Sequence, residues 1–164
     1  MLFAGLTSAY VVRADNGNWL VFKLPDIIFI STALIITSSL TMLVAQGAIK
    51  KNNLKLTTIS LFATLVLGIG FFCSQYLGWK ELTAQGIYFM GKASNASGSF
   101  LYLIALVHLL HMVGGLIALS VSLTRTVLKR YSSSNYQGIE LAAIYWHFLD
   151  LLWVYLFLFL YFYR

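Results

Sequence analysis

Proline occurs once, cysteine once, and acidic side chains only five times in 164 residues. Each scarcity excludes something. One cysteine, Cys73, rules out an internal disulfide, and its place in an apolar run predicts a small core residue. Charged residues make up 10% of the chain, against about 25% in a soluble domain. No stretch has the composition of a soluble domain, and no period indicates an internal repeat. What is abundant is apolar: 60% of the residues are hydrophobic and 16% aromatic. A core this small could not bury so much apolar surface, which makes a membrane protein the first reading. The net charge of +6 would elsewhere suggest nucleic acid. Here the basic residues fall in short links between apolar runs, so membrane topology accounts for them and no nucleic-acid partner is implied.

Four runs are long enough to cross a bilayer core, which takes about 20 helical residues. They lie at roughly 25–48, 56–79, 99–123 and 139–163. Pro25 suits the first turn of its helix. The opening "MLFAGLTSAYVV", residues 1–12, is apolar but too short to cross, and it lacks the basic start of a signal peptide. It predicts the second half of a helix whose first half lies upstream of Met1. The expected fold is all-α: a single transmembrane domain over residues 1–164, a bundle of five helices with the first truncated at its N-terminus.

The links set an expected orientation. Lys50, Lys51, Lys55, Arg125, Lys129 and Arg130 fall on one side; Arg13, Lys23, Lys80, Lys92 and Arg164 fall on the other, diluted by Asp15, Asp26 and Glu81. Six cations against five place the N-terminus inside and the C-terminus outside. "NAS" at Asn95 matches a glycosylation acceptor, a match common by chance.

Ionisable groups inside membrane spans are costly and need partners or a purpose. The candidates are His108 and His111 in the fourth span, and Glu140, His147 and Asp150 in the fifth, with Gln75 as an uncharged addition in the third. Glu140, His147 and Asp150 share one helical face, flanked by Trp146 and Trp153. His111 and Asp150 lie near the midpoints of antiparallel spans, so His111 is the first candidate to hydrogen-bond the buried Asp150 carboxyl. His108, one turn further out, suits the level of Trp153. Several readings stay open at this point. The polar groups can satisfy one another and fix helix packing. A haem could be held between His147 and a histidine of the fourth span, although the carboxylate on the same face then has no role. A metal could sit among His108, His111 and Asp150. A proton path could start at Glu140, but nothing continues it outward. Gly68, Gly70, Gly114 and Gly115 allow close helix approach. The aromatic residues from Tyr145 to Tyr163 include an interfacial belt at the outer surface.

Four segments carry a resemblance. "GIELAAIYWHFLDLLW" closely resembles the last helix of subunit III of the haem–copper oxidases, which has a glutamate followed by Trp-His-Phe-x-Asp-x-x-Trp: here Glu140, Trp146, His147, Phe148, Asp150 and Trp153. "HLLHMVGG" is similar to that family's penultimate helix, with His-x-x-His and a glycine at His108, His111 and Gly115. "MLFAGLTSAYVV" resembles the helix that opens the family's five-helix core, and "LVLGIGFFCSQYLGWKEL" its third helix. The match keeps its order over nearly the whole chain. Two N-terminal helices of the long form are absent, as in the five-helix bacterial form, and the family's membrane acid would fall just upstream of Met1.

The resemblance implies a non-catalytic membrane subunit of a respiratory terminal oxidase of the cytochrome c oxidase type, in a bacterial inner membrane. No cofactor is expected in this chain. Haem and copper would lie in partner subunits, and phospholipid would sit between the helices. Direct packing on subunit I, a complex with subunit II, and membership of a supercomplex with a quinol–cytochrome c reductase are all compatible with it. The subunit would stabilise the catalytic subunit and support proton uptake. Subunit III of a quinol oxidase and the accessory subunit of nitric oxide reductase share the pattern. A stand-alone transmembrane haem-b electron-transfer protein is the rival of another class, and a transporter lacks the broken helices or repeats it would need.

Overall fold

The computed structural model describes residues 2–14, 26–87, 96–132 and 135–162. Pro25, Asn95, Lys23, Lys92, Asp15, Tyr163 and Arg164, all used above, lie outside them. Five helices account for almost all of the described chain: α1 (Leu2–Ala14), α2 (Ile27–Lys50), α3 (Leu54–Ala84), α4 (Ala96–Val127) and α5 (Gln137–Phe162). Helices α2 to α5 are each long and apolar enough to cross a membrane, in α4 from Gly98.

Helices α3 and α4, of 31 and 32 residues, overshoot the spans that hydropathy predicts. At 1.5 Å per residue α3 is about 46 Å long, against a core of about 30 Å. The extra turns are built from "KELTA" at the end of α3, residues that form helix well but are too polar to count as membrane span. Three helices end in the same Schellman turn. Asn53 N–H bonds the Ala48 carbonyl after α2, Ile87 N–H that of Leu82 after α3, and Arg130 N–H that of Arg125 after α4. The left-handed residue is Asn52 (φ 57°), Gly86 (φ 81°) and Lys129 (φ 54°) in turn. In "KNNLK" the two asparagines divide the work: Asn52 reverses the chain and Asn53 caps α3, its side chain accepting from Leu56 N–H at 3.1 Å.

Helices α2, α3, α4 and α5 form a closed ring of antiparallel neighbours, α5 returning to pack on α2. The α2–α3 pair is the most extensive; Ser31, Ser38, Ala45, Thr57, Ser60, Thr64 and Gly68 are all buried on these helices, small residues that let backbones approach. Helix α1 lies outside the ring against α4. It also reaches α5, where the Thr7 and Tyr155 hydroxyls meet at 3.1 Å and the Tyr10 and Phe159 rings lie 5.2 Å apart. One buried cluster centres on Phe71, Met112, Trp146 and Trp153; a second, toward α1, holds Phe3, Tyr10, Leu101 and Leu156. The outward faces carry Leu, Ile, Val and Phe, as a lipid-facing surface does. Cys73 belongs there: it is exposed, which corrects the expectation of a core residue. Periodicity in an apolar helix is too weak to separate core from lipid face.

Candidate functional site: the polar seam between α2 and α5

Helix α5 turns Trp146, Leu149, Asp150 and Trp153 inward, all buried, by ordinary three-and-four spacing. Both tryptophans donate their indole N–H to α2: Trp146 Nε1 to Ser38 Oγ at 2.9 Å, and Trp153 Nε1 to Thr32 Oγ1 at 3.2 Å. Beside the first of these, Ser39 Oγ and His147 Nδ1 are joined at 2.7 Å. The hydroxyl row continues into α3, where Thr41 and Thr64 meet at 2.8 Å. Apolar groups attract helices little in lipid, so hydrogen bonds and close packing of this kind hold them together.

Close packing is supplied by two of the four glycines singled out above. Trp146 is wedged between α3 and α4: a Cβ on Gly68 would stand 2.7 Å from its Cη2, and one on Gly115 would stand 3.1 Å from its Cε3. Gly70 faces only Leu34 Cδ1 at 3.8 Å, and Gly114 is exposed, with Tyr145 Oη at 3.4 Å. These two do not serve the wedge.

The ionisable groups do not form one cluster. Glu140 is exposed in the first turn of α5, about 15 Å of helix from Asp150. The expected Asp150–His111 hydrogen bond is absent, which is a correction. His111 lies on the flank of α4 toward α1: its ring is 5.7 Å from that of Phe3, and its Nδ1 bonds the Val107 carbonyl of its own helix at 2.7 Å. The carbonyl of His111, not its ring, bonds α5, accepting from Tyr145 Oη at 3.0 Å. Asp150 instead lies beside Ser39, on the α2 side of α5. Both its oxygens are buried; Ser39 stands near enough to act on the carboxyl, but neither oxygen completes a hydrogen bond of standard geometry among the described residues. Matched depth was a sound criterion, but depth does not fix which side of a helix a residue faces.

His108 occupies the interior at the level of Trp153, as expected, with ring centroids 5.2 Å apart. It is fully buried, Phe71 and Phe3 also approach its edge, and neither ring nitrogen has a partner among the described residues. Gln75, also buried, leaves its amide nitrogen without a partner among the described residues and borders a small cavity of about 20 Å³ with Trp153. The residues do not suit a haem between His108 and His147. His147 is turned to Ser39, and Phe71, Trp146 and Trp153 fill the interior. No three His, Cys, Asp or Glu side chains among the described residues are placed to hold a metal ion.

The α2 hydroxyls Thr32, Ser38, Ser39 and Thr41 were missed from sequence. Their signal was present in "STALIITSSLT", where Thr32 and Ser39 stand seven apart in an otherwise apolar run. A search confined to charged groups passes over it.

A family model described as cytochrome c oxidase subunit III matches residues 21–164. Among curated proteins, cytochrome c oxidase subunit 3 of Alkalihalophilus pseudofirmus is 34% identical over 80% of this chain, and the chain spans 63% of that protein. The probable cytochrome c oxidase subunit 3 of Nocardia farcinica is 34% identical over 100% of this chain and 82% of its own length. That of Prototheca wickerhamii is 35% identical over 84% of this chain, which spans half of it.

Proposed function

The chain belongs to the cytochrome c oxidase subunit III family, and from that premise we propose that it is the non-catalytic membrane subunit III of a respiratory haem–copper oxidase. It packs directly on subunit I, in a complex with subunit II, prolongs the working life of the catalytic subunit and supports its proton uptake. Haem and copper belong to the partner subunits, and phospholipid fills surfaces between the helices. Membership of a supercomplex with a quinol–cytochrome c reductase requires cytochrome c as the electron donor.

The observation that carries this reading is the family match from residue 21 to residue 164, which includes all four spans and the Trp146–Trp153 motif. The geometry supports it. The tryptophans and His147 are committed to α2 hydroxyls, a use that ties helices together. The chain is an integral membrane protein. A bacterial inner membrane, with the α2–α3 and α4–α5 links inside, agrees with the cations of those links.

Affinity purification of the tagged chain from its native membrane tests the assignment. Co-purification of a haem- and copper-bearing subunit that oxidises cytochrome c is the expected result. Recovery with a quinol oxidase or a nitric oxide reductase would reassign the complex, and recovery of haem on this chain alone would overturn the reading.

A further inference from the structure

Helix α2 is the least enclosed of the four spans: 28% of its apolar stretch is buried within the chain, against 33% in α3, 39% in α5 and 44% in α4. Its outward face carries Ala33, Thr37, Leu40, Val44 and Gly47, all exposed and spaced by four, three, four and three residues. That alternation is the seam along which a second helix packs at a shallow left-handed crossing. Ala33, Thr37 and Gly47 are of the small types that mark helix–helix contacts in membranes. Thr37 donates its hydroxyl to the Ala33 carbonyl at 2.8 Å, which leaves its methyl group for packing. The outward residues of α3 and α5 are bulkier: Phe62, Val66 and Ile69 on one, Phe148, Leu151 and Tyr155 on the other.

Gly47 adds a sharper point. Glycine inside a helix costs about 1 kcal/mol relative to alanine. The chain's own packing does not account for it here, because a Cβ at Gly47 would meet nothing within 4 Å. Each of the other described glycines in α2 to α5 does face a neighbouring side chain; even the exposed Gly114 lies 3.4 Å from Tyr145 Oη. Backbone left bare toward the outside suits close approach from the outside.

A third observation lies at the edge of the same face. Ser39 and His147 are both partly exposed, where the α2–α5 seam opens outward. Behind them, His147 Nε2 and both oxygens of Asp150, a residue only 5% exposed, complete no hydrogen bond among the described residues. Acyl chains offer neither donor nor acceptor at mid-bilayer. Lipid on this face would leave that cost standing, whereas a helix with a polar side chain at the level of Ser39 reduces it.

We propose that the face of α2 from Ala33 to Gly47, with its Ser39–His147 edge, receives a transmembrane helix of the catalytic subunit. That helix sets small or aliphatic side chains against the stripe and a hydrogen-bonding side chain at the level of Ser39. The inference deepens the packing part of the proposed function and rests on that reading.

The test is made in the assembled oxidase in its native membrane. A benzophenone side chain in place of Leu40 or Val44 should crosslink on illumination to the haem-bearing subunit, and the same probe at Phe62 of α3 should not. Gly47→Leu should leave the full chain alone, in detergent, as heat-stable as the parent, since the space at Gly47 is open. The same variant should recover about fivefold less catalytic subunit on co-purification, as an overfilled contact costing about 1 kcal/mol predicts. Capture of lipid alone, or of a different polypeptide, at Leu40 and Val44 in a chain that still co-purifies with the haem-bearing subunit would overturn this face and leave the proposed function standing. Unchanged recovery with Gly47→Leu, or a leucine variant that unfolds sooner by itself, would also count against the face. A parent chain that brings down no haem-bearing subunit would overturn the proposed function, and the inference with it.

Discussion

Trp146 of α5 lies so close to Gly68 of α3 that a Cβ there would stand 2.7 Å from its ring. The same indole touches the space above Gly115 of α4 and donates its N–H to Ser38 of α2. One side chain thus joins all four helices of the ring.

Substitution at the glycines separates this wedge from general helix packing. Gly68→Ala should destabilise the chain by about 1–3 kcal/mol, the range for overfilling a packed interior. Gly70→Ala meets only Leu34 Cδ1 at ordinary contact distance, so the better helix propensity of alanine, up to about 1 kcal/mol, should leave it neutral or stabilised. Denaturant unfolding in detergent, followed by circular dichroism, ranks the two; equal stability would contradict the wedge.

The Trp146–Ser38 hydrogen bond should be visible in a double-mutant cycle. Ser38→Ala leaves a buried N–H unpaired; Trp146→Phe removes that N–H along with part of the ring. A coupling near the membrane-protein average of about 0.6 kcal/mol, and below about 1.7 kcal/mol, is expected. A coupling of zero would mean that the indole finds another acceptor.

Asp150 gives a prediction opposite in sign to that for a paired carboxylate. Its oxygens complete no hydrogen bond of standard geometry among the described residues, and a charged group at mid-bilayer costs about 2.5–3.5 kcal/mol on insertion scales. Asp150→Leu should therefore leave the isolated chain at least as stable as the parent. In the assembled oxidase the same variant should shorten the active lifetime, and Asp150→Asn should restore most of it. A leucine variant that unfolds more readily by itself would reveal a partner within the chain.

The helices were legible in the sequence because membrane spans announce themselves by length and apolarity; their overshoot was not, since "KELTA" is helix without being apolar. Spacing set Trp146 and Trp153 beside the Glu140–His147–Asp150 face and depth set His108 at the level of Trp153, but neither says which of them turn inward; all three are buried. The expected Asp150–His111 hydrogen bond fails because depth constrains one coordinate, while the side a residue faces depends on how helices are arranged around the ring. The α2 hydroxyls were passed over because serine and threonine in a span carry no charge to draw notice, although they receive both indoles and His147.

Oxygen uptake by the purified oxidase, recorded over repeated turnover with and without this chain, tests the proposed function most directly. With the chain removed, the oxidase should begin at the parent's rate and then lose activity faster. Complete loss of oxygen reduction from the first turnover, in a core that still holds its haems and copper, would contradict a non-catalytic subunit III.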